Sequence, residues 1–382
     1  MKKYLRFLGI ALLAAFLIFN SWVILSGKQY FYKALIYNFA DIDDYKLFSN
    51  RTIEKSSTPI PWALSKTYNK KNISDSLRNK LTALETVALL IIRKDSIEYE
   101  EYWDSYSDSS FSNSFSMAKS YVSALIGTAL KEGKIKSIDQ PVCDYLPEFC
   151  EGDKKKITIR HLLTMSSGLN WQEAYSSPFS PTTEAYYGTD LKNLMSTLKP
   201  IEEPGKIFRY KSGDTQILSF VLEKATGKKL SDYAREKLWE PLGCEHNALW
   251  SLDKDNGYEK AYCCVNSNAR DFAKFGKLYL DSGRVKNEQL IPLDYLLSSI
   301  QPTGMPDGDL DMKKSNFYGY QWWIIPNYKG HDVFYARGIL GQYIIVIPDL
   351  KTIAVRLGKK RGEKAGKHYI ETLLIIDEVL SR

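Results

Sequence analysis

Four histidines in 382 residues leave little scope for histidine chemistry. His161, His246, His331 and His368 form no His-Glu-x-x-His pattern, and no serine sits in a Gly-x-Ser-x-Gly elbow. Both a Ser-His-Asp triad and a histidine-held metal are thereby argued against. Cysteine is scarce too: there are five, with no Cys-x-x-Cys spacing, so neither a metal nor another cofactor is expected. Cys143 and Cys150, flanking Pro147, suit a loop disulfide in an oxidising compartment, whereas Cys244, Cys263 and Cys264 read as buried free thiols. Long basic runs are also missing. The net charge is +7, and Lys154-Lys155-Lys156 and Lys359-Lys360-Arg361 read as solvated loops, so no nucleic-acid partner is expected. With 44% apolar and 25% charged residues and no internal repeat, the chain has the composition of a globular protein with ample core.

What the chain does have begins at its N-terminus. Lys2, Lys3 and Arg6 precede an uncharged stretch from Phe7 to Leu25. At about 1.5 Å per helical residue, that stretch reaches roughly the thickness of a bilayer core. It exceeds the roughly 7–15 apolar residues of a signal peptide, and Ile24 and Leu25 stand where cleavage would need small residues. An uncleaved anchor is expected over a cleaved signal. Trp22 suits the outer interface, the basic residues stay in the cytoplasm, and the remainder is exported to a periplasmic or extracellular space. Three segments follow: 1–27 as anchor or signal, 28–84 as an extension rich in Tyr, Asn, Lys and Ser that wraps the surface or spaces the rest from the bilayer, and 85–382 as the main domain.

Within that domain, Thr86–Ile92 and Ile97–Trp103 predict a strand hairpin around Arg93-Lys94-Asp95-Ser96, and Asp104–Ser114 a loop. The next stretch, to about residue 300, is mostly helical. Thr158 caps a short helix ended by Gly168, and Asp214–Ala225, Ser231–Trp239 and Ala269–Leu280 follow. Strands return at Tyr318–Ile325, Val333–Ala336, Tyr343–Ile347 and Thr352–Leu357, before a last helix over 369–381. The predicted class is therefore α/β of the α+β kind. An antiparallel sheet is built from N- and C-terminal strands and covered by helices, with a largely helical region inserted and a transmembrane helix in front.

Three Ser-x-x-Lys tetrads occur, and context separates them. Ser196 to Lys199 runs into Pro200, and Ser251 to Lys254 lies in a turn-forming run, so neither opens a helix. Ser116-Met117-Ala118-Lys119 does, because Tyr121, Val122, Leu125, Ile126, Ala129 and Leu130 follow at the spacing of one buried face. Residues three apart share a helical face, which brings the Lys119 amine within reach of the Ser116 hydroxyl. A helix start also offers unpaired N–H groups and partial positive charge, both suited to an oxyanion. The bland alternative is that Ser116 only caps the helix. A Ser-Lys pair needs a neutral lysine, and a nearby tyrosine could shuttle its proton, but twenty-six tyrosines leave that choice open.

From about residue 85 to 380 the chain resembles the serine beta-lactamase-like and penicillin-binding-protein superfamily. The likeness is to its class C-type branch of esterases, D-amino-acid peptidases and nylon-oligomer hydrolases. Ser116-Met117-Ala118-Lys119 is similar to the family's Ser-x-x-Lys. Phe208-Arg209-Tyr210-Lys211-Ser212-Gly213-Asp214 is similar to its Tyr-x-Asn, with Ser212 replacing the Asn. Ala336-Arg337-Gly338 stands where the family has Lys-Thr-Gly or His-x-Gly. The resemblance implies that Ser116 is the nucleophile, with Lys119 and Tyr210 moving its proton. It also implies an oxyanion hole from the N–H groups of Ser116 and Ile339, and substrate contacts at Ser212, Gly338 and Arg337. Ala336 removes a cation that would meet a substrate carboxylate, and strand alternation makes Arg337 more often a solvated surface residue than its substitute. A small-molecule or peptide-like ester or amide is thus the expected substrate. A D-Ala-D-Ala carboxypeptidase or beta-lactamase, and a non-catalytic cell-wall binding or sensor protein on the same fold, stay open as alternatives.

Overall fold

In the computed structural model, which describes residues 1–382, seven strands form the central sheet. Their order is Trp323–Tyr328, His331–Gly338, Gln342–Ile347, Thr352–Gly358, Thr86–Arg93, Ser96–Tyr102 and Ala63–Leu64. All neighbours are antiparallel except the last pair, in which Ala63 and Leu64 run alongside Ser96 and Ile97. The sheet is thus built from both ends of the chain. Alternation along each strand sends Leu90, Ile92, Phe334, Ala336, Ile344 and Val355 into the larger core. There they meet the helices Ala118–Lys131 and Ala269–Leu280. Leu89, Ile91, Tyr335, Tyr343, Ile345 and Ala354 face the other way, onto the helices Asp75–Ala83 and Ile370–Leu380.

Local signals explain most boundaries. Thr158 caps its helix by accepting from the His161 N–H, and Gly227, left-handed at φ 70°, closes Ser212–Thr226. The expected strand at Tyr318–Ile325 begins only at Trp323. Before it, Gln321 is left-handed and its side-chain amide donates to the Leu162 and Leu163 carbonyls, so side-chain bonding displaces the ladder.

Helix α1 (Lys2–Leu25) is long and apolar enough to cross a membrane, and of its residues only Val23 is buried. Residues 28–84 run around the body. Helix α2 (Tyr30–Tyr37) packs on the helix Pro181–Tyr187, Asn50–Ile53 pairs with Ala248–Ser251 in a second, four-stranded sheet, and Ala63–Leu64 edges the central one. Helix α3 (Asp75–Ala83), capped by Ser74, buries Leu77 and Leu81. Each of those leucines contributes about 1.5–3 kcal/mol by leaving water.

Cys143 and Cys150 are bonded, as their spacing suggested. Cys263 and Cys264 are bonded to each other, which corrects the reading of both as free thiols; Cys244 is free and buried. Spacing rules look for pairs that close a loop, and a bond between chain neighbours closes none.

Candidate active site

The chain reaches Ser116 through a forced turn. Phe115 is left-handed at φ 44°, with its N–H donating to Asn113 Oδ1, and Phe115–Met117 form a single 3-10 turn before helix α4 (Ala118–Lys131). A bulky residue in that conformation carries strain of the sort found at functional sites. Gly338, at the end of its strand, lies against this turn. A Cβ there would come 2.2 Å from the Ser114 carbonyl oxygen, so only glycine lets the strand approach so closely.

Ser116 does not cap the helix: no side chain caps either the turn or α4. Its Oγ instead meets Lys119 Nζ at 3.1 Å. Lys119 is 1% exposed, and its amine also donates to Ser212 Oγ at 3.1 Å and to the Tyr262 carbonyl at 2.7 Å. Burial lowers its pKa to about 8, against the opposing charge of Glu173. A neutral amine has two N–H groups and one lone pair. Ser212 and Tyr262 take the two donors, which leaves the lone pair for the Ser116 hydroxyl.

Glu173 was invisible in the sequence, a single acid in a loop without periodicity. It accepts from Ser212 Oγ at 2.6 Å, the Ser212 N–H at 2.8 Å, Trp171 Nε1 at 2.7 Å and the Tyr175 hydroxyl at 2.7 Å. Trp171 lies on Gly213, where a Cβ would come 2.7 Å from the indole ring. Because Ser212 donates to Glu173, its oxygen is free to accept from Lys119. The serine thus keeps a lysine contact in the absence of the expected Asn.

Tyr210 precedes the helix Ser212–Thr226 and is held between Tyr318 and Trp323, with ring centroids 5.9 and 5.7 Å away. Its ring centroid is 5.2 Å from Lys119 Nζ. Burial, then the Glu173 charge, pushes the phenol above its ordinary range; the Ser116 hydroxyl and two arginine charges oppose this. It is a neutral phenol at ordinary pH.

A cavity of about 350 Å³ opens over these groups, with Ser116, Ser212, Ile339, Tyr175 and Tyr262 in its walls. Arg337 is neither a solvated surface residue nor part of that lining. Its guanidinium lies 3.2 Å over the Trp323 ring and donates to the Lys367 carbonyl at 2.7 Å. Ala336 is fully buried on the opposite face of the sheet. The one formally charged lining residue is Arg361, from a run that reads as solvated loop. Lys359 and Lys360 do point outward, to Asp104 and Glu85.

Comparisons with known proteins agree on one family. A family model described as Beta-lactamase matches residues 75–375. The 6-aminohexanoate-dimer hydrolase of Paenarthrobacter ureafaciens is 25% identical over 305 residues, which cover 74% of this chain and 76% of that one. Among solved structures, a candidate 6-aminohexanoate-dimer hydrolase from Bacillus anthracis superposes with a TM-score of 0.76 at 21% identity, covering 89% of this chain and 92% of its own. A D-stereospecific amidohydrolase from Streptomyces sp. does so at 0.61 and 16%, covering 80% and 98%. At such identities the two structures speak for the fold, and the family match over most of the length speaks for descent. The chain belongs to the Beta-lactamase family of serine hydrolases.

Proposed function

We propose that this hydrolase is membrane-anchored and exported, and that it cleaves an ester or amide through an acyl-enzyme on Ser116. Residues 1–27 act as the anchor, 28–84 as the segment joining it to the body, and 85–382 as the hydrolase domain. The observation that carries the reading is the buried Lys119 amine, 3.1 Å from Ser116 Oγ and with its pKa lowered to about 8. Ser116 Oγ attacks the carbonyl carbon while its proton passes to neutral Lys119, with Tyr210 beside both. The N–H groups of Ser116 and Ile339 hold the oxyanion. On collapse, Tyr210 relays the proton to the leaving alcohol or amine, and water then releases the acid and regenerates Ser116. The 6-aminohexanoate dimer named for the hydrolase of Paenarthrobacter ureafaciens, two amino acids joined through an amide, supports a small amide or ester as substrate class.

Only neutral Lys119 accepts a proton, so kcat/KM on a neutral ester should rise with pH about a midpoint near 8. Glu173 favours the ammonium, so Glu173→Gln should move that midpoint to lower pH as well as slow the reaction. A pH profile of both proteins checks this, and a midpoint that moves upward would contradict it.

Anchoring has its own test. Full-length protein should sediment with membranes and come off with detergent but not with high salt, because α1 is uncharged from Phe7 to Leu25. A soluble product starting near residue 27 would show a cleaved signal.

A further inference from the structure

One wall of the cavity comes from the segment directly behind the anchor. Ala34 and Leu35 of α2, with Asn38, Phe39 and Ala40 after it, line the cavity that contains Ser116. Only Ser26–Gln29 separates α1 from α2. Helix α2 turns back onto the end of α1, where the Tyr32 hydroxyl donates to Asn20 Oδ1 at 2.7 Å and the Phe31 ring meets Trp22 edge-on at 5.1 Å. Phe179, next to the lining residues Ser177 and Pro178, closes on the same cluster, 5.0 Å from Phe31 and 6.3 Å from Trp22. Both walls therefore meet at Trp22.

The level of that meeting point follows from length. Twenty-four helical residues span about 36 Å, slightly more than a hydrocarbon core of about 30 Å. With α1 across the bilayer, Trp22 sits at the outer interface, where amphipathic rings settle. The lining segments 34–40 and 175–178 adjoin Phe31 and Phe179, which contact Trp22 at that level. The surroundings fit: Leu35, Ile36, Phe39 and Phe179 are 61, 73, 70 and 68% exposed, an apolar surface that water disfavours and a lipid interface accepts. Lys28 and Lys33, on the same short stretch, suit anionic headgroups.

We infer that the cavity opens onto the bilayer holding α1 and takes a membrane-borne amphiphile, an ester or amide whose apolar chain stays against lipid while its polar end brings the carbonyl to Ser116. This rests on the anchored-hydrolase reading above. The chemistry is unchanged: the ester or amide bond breaks, water supplies the oxygen of the released acid, and the leaving group departs protonated. What the arrangement adds is selection. A substrate confined to the same membrane surface meets the site at high local concentration, whereas a soluble one does not.

The test uses full-length protein in vesicles of phosphatidylethanolamine and phosphatidylglycerol, with two probes. One is soluble p-nitrophenyl acetate; the other is a coumarin ester on the headgroup of a dioleoyl phospholipid, which stays in its own vesicle. The lipid ester should be cleaved at least about ten-fold faster when it shares vesicles with the enzyme than when it is in separate ones. Ile36→Glu combined with Phe179→Glu should remove most of that advantage and leave acetate turnover within about two-fold, since neither residue lines the cavity. Equal rates in shared and separate vesicles, no cleavage of the lipid ester beside normal acetate turnover, or equal loss on both probes in the variant would overturn the inference. A wild-type protein that hydrolyses neither probe would instead overturn the hydrolase reading.

Discussion

Ser116→Ala should lower ester turnover by about four to six orders of magnitude and abolish labelling by a fluorophosphonate, with the fold intact. Ser116 makes no capping bond, so its removal takes one hydrogen bond to Lys119 and nothing from the helix terminus. The thermal midpoint should therefore move little. The effect on rate is large because no other hydroxyl has the same surroundings: Ser212, the second serine on Lys119, is bonded to Glu173. Kinetics beside a melting curve separate loss of the nucleophile from loss of structure.

Lys119→Arg should be almost as damaging as Lys119→Ala, each costing on the order of 10² to 10⁴ in kcat. Arginine keeps the charge but stays protonated at any working pH, so it cannot accept the Ser116 proton. It must also fit a guanidinium where one amine now reaches Ser116, Ser212 and the Tyr262 carbonyl. Burial lowers the lysine's proton affinity in the native protein, and the charge of Glu173 opposes it. Substantial rescue by arginine would mean that Lys119 acts as a fixed cation and that the proton goes elsewhere.

The linkage between this lysine and stability has a definite sign. A folded-state pKa near 8, below the ordinary value of 10.5, means that the unfolded chain binds the proton more readily between those values. Lys119 therefore favours the folded state increasingly as pH rises through that window. Below about pH 8 both states are protonated, and the burial cost is carried in full.

Much of the fold is legible in the sequence because its main elements carry their own pattern. The helix 269–280 carries apolar residues at helical spacing, and the strand 86–93 and the three strands between 331 and 358 are largely apolar runs buried on both faces. Residues 28–84 are less legible for the opposite reason. Their elements are two to nine residues long, and Ile42 and Ile53 each reach the core singly, against partners far away in the chain. Ser116 and Lys119 are legible because one helical turn fixes their separation. Tyr210 is picked out among the tyrosines only by resemblance to a known family. Glu173 and Arg361 have no local signal at all: a loop acid becomes a hub only once Trp171 is seated on Gly213, and of three consecutive basic residues one borders the cavity while the other two pair with Asp104 and Glu85. The Cys263–Cys264 bond is of the same kind, since adjacency in sequence says nothing of which rotamers the fold will hold.

The most direct measurement is the site of covalent capture. Protein treated with a fluorophosphonate, digested and mapped by mass spectrometry should carry one adduct, on the peptide containing Ser116, and none in Ser116→Ala or at low pH, where Lys119 is protonated. An adduct on another residue, or none in a preparation that still hydrolyses esters, would contradict a serine nucleophile held by Lys119.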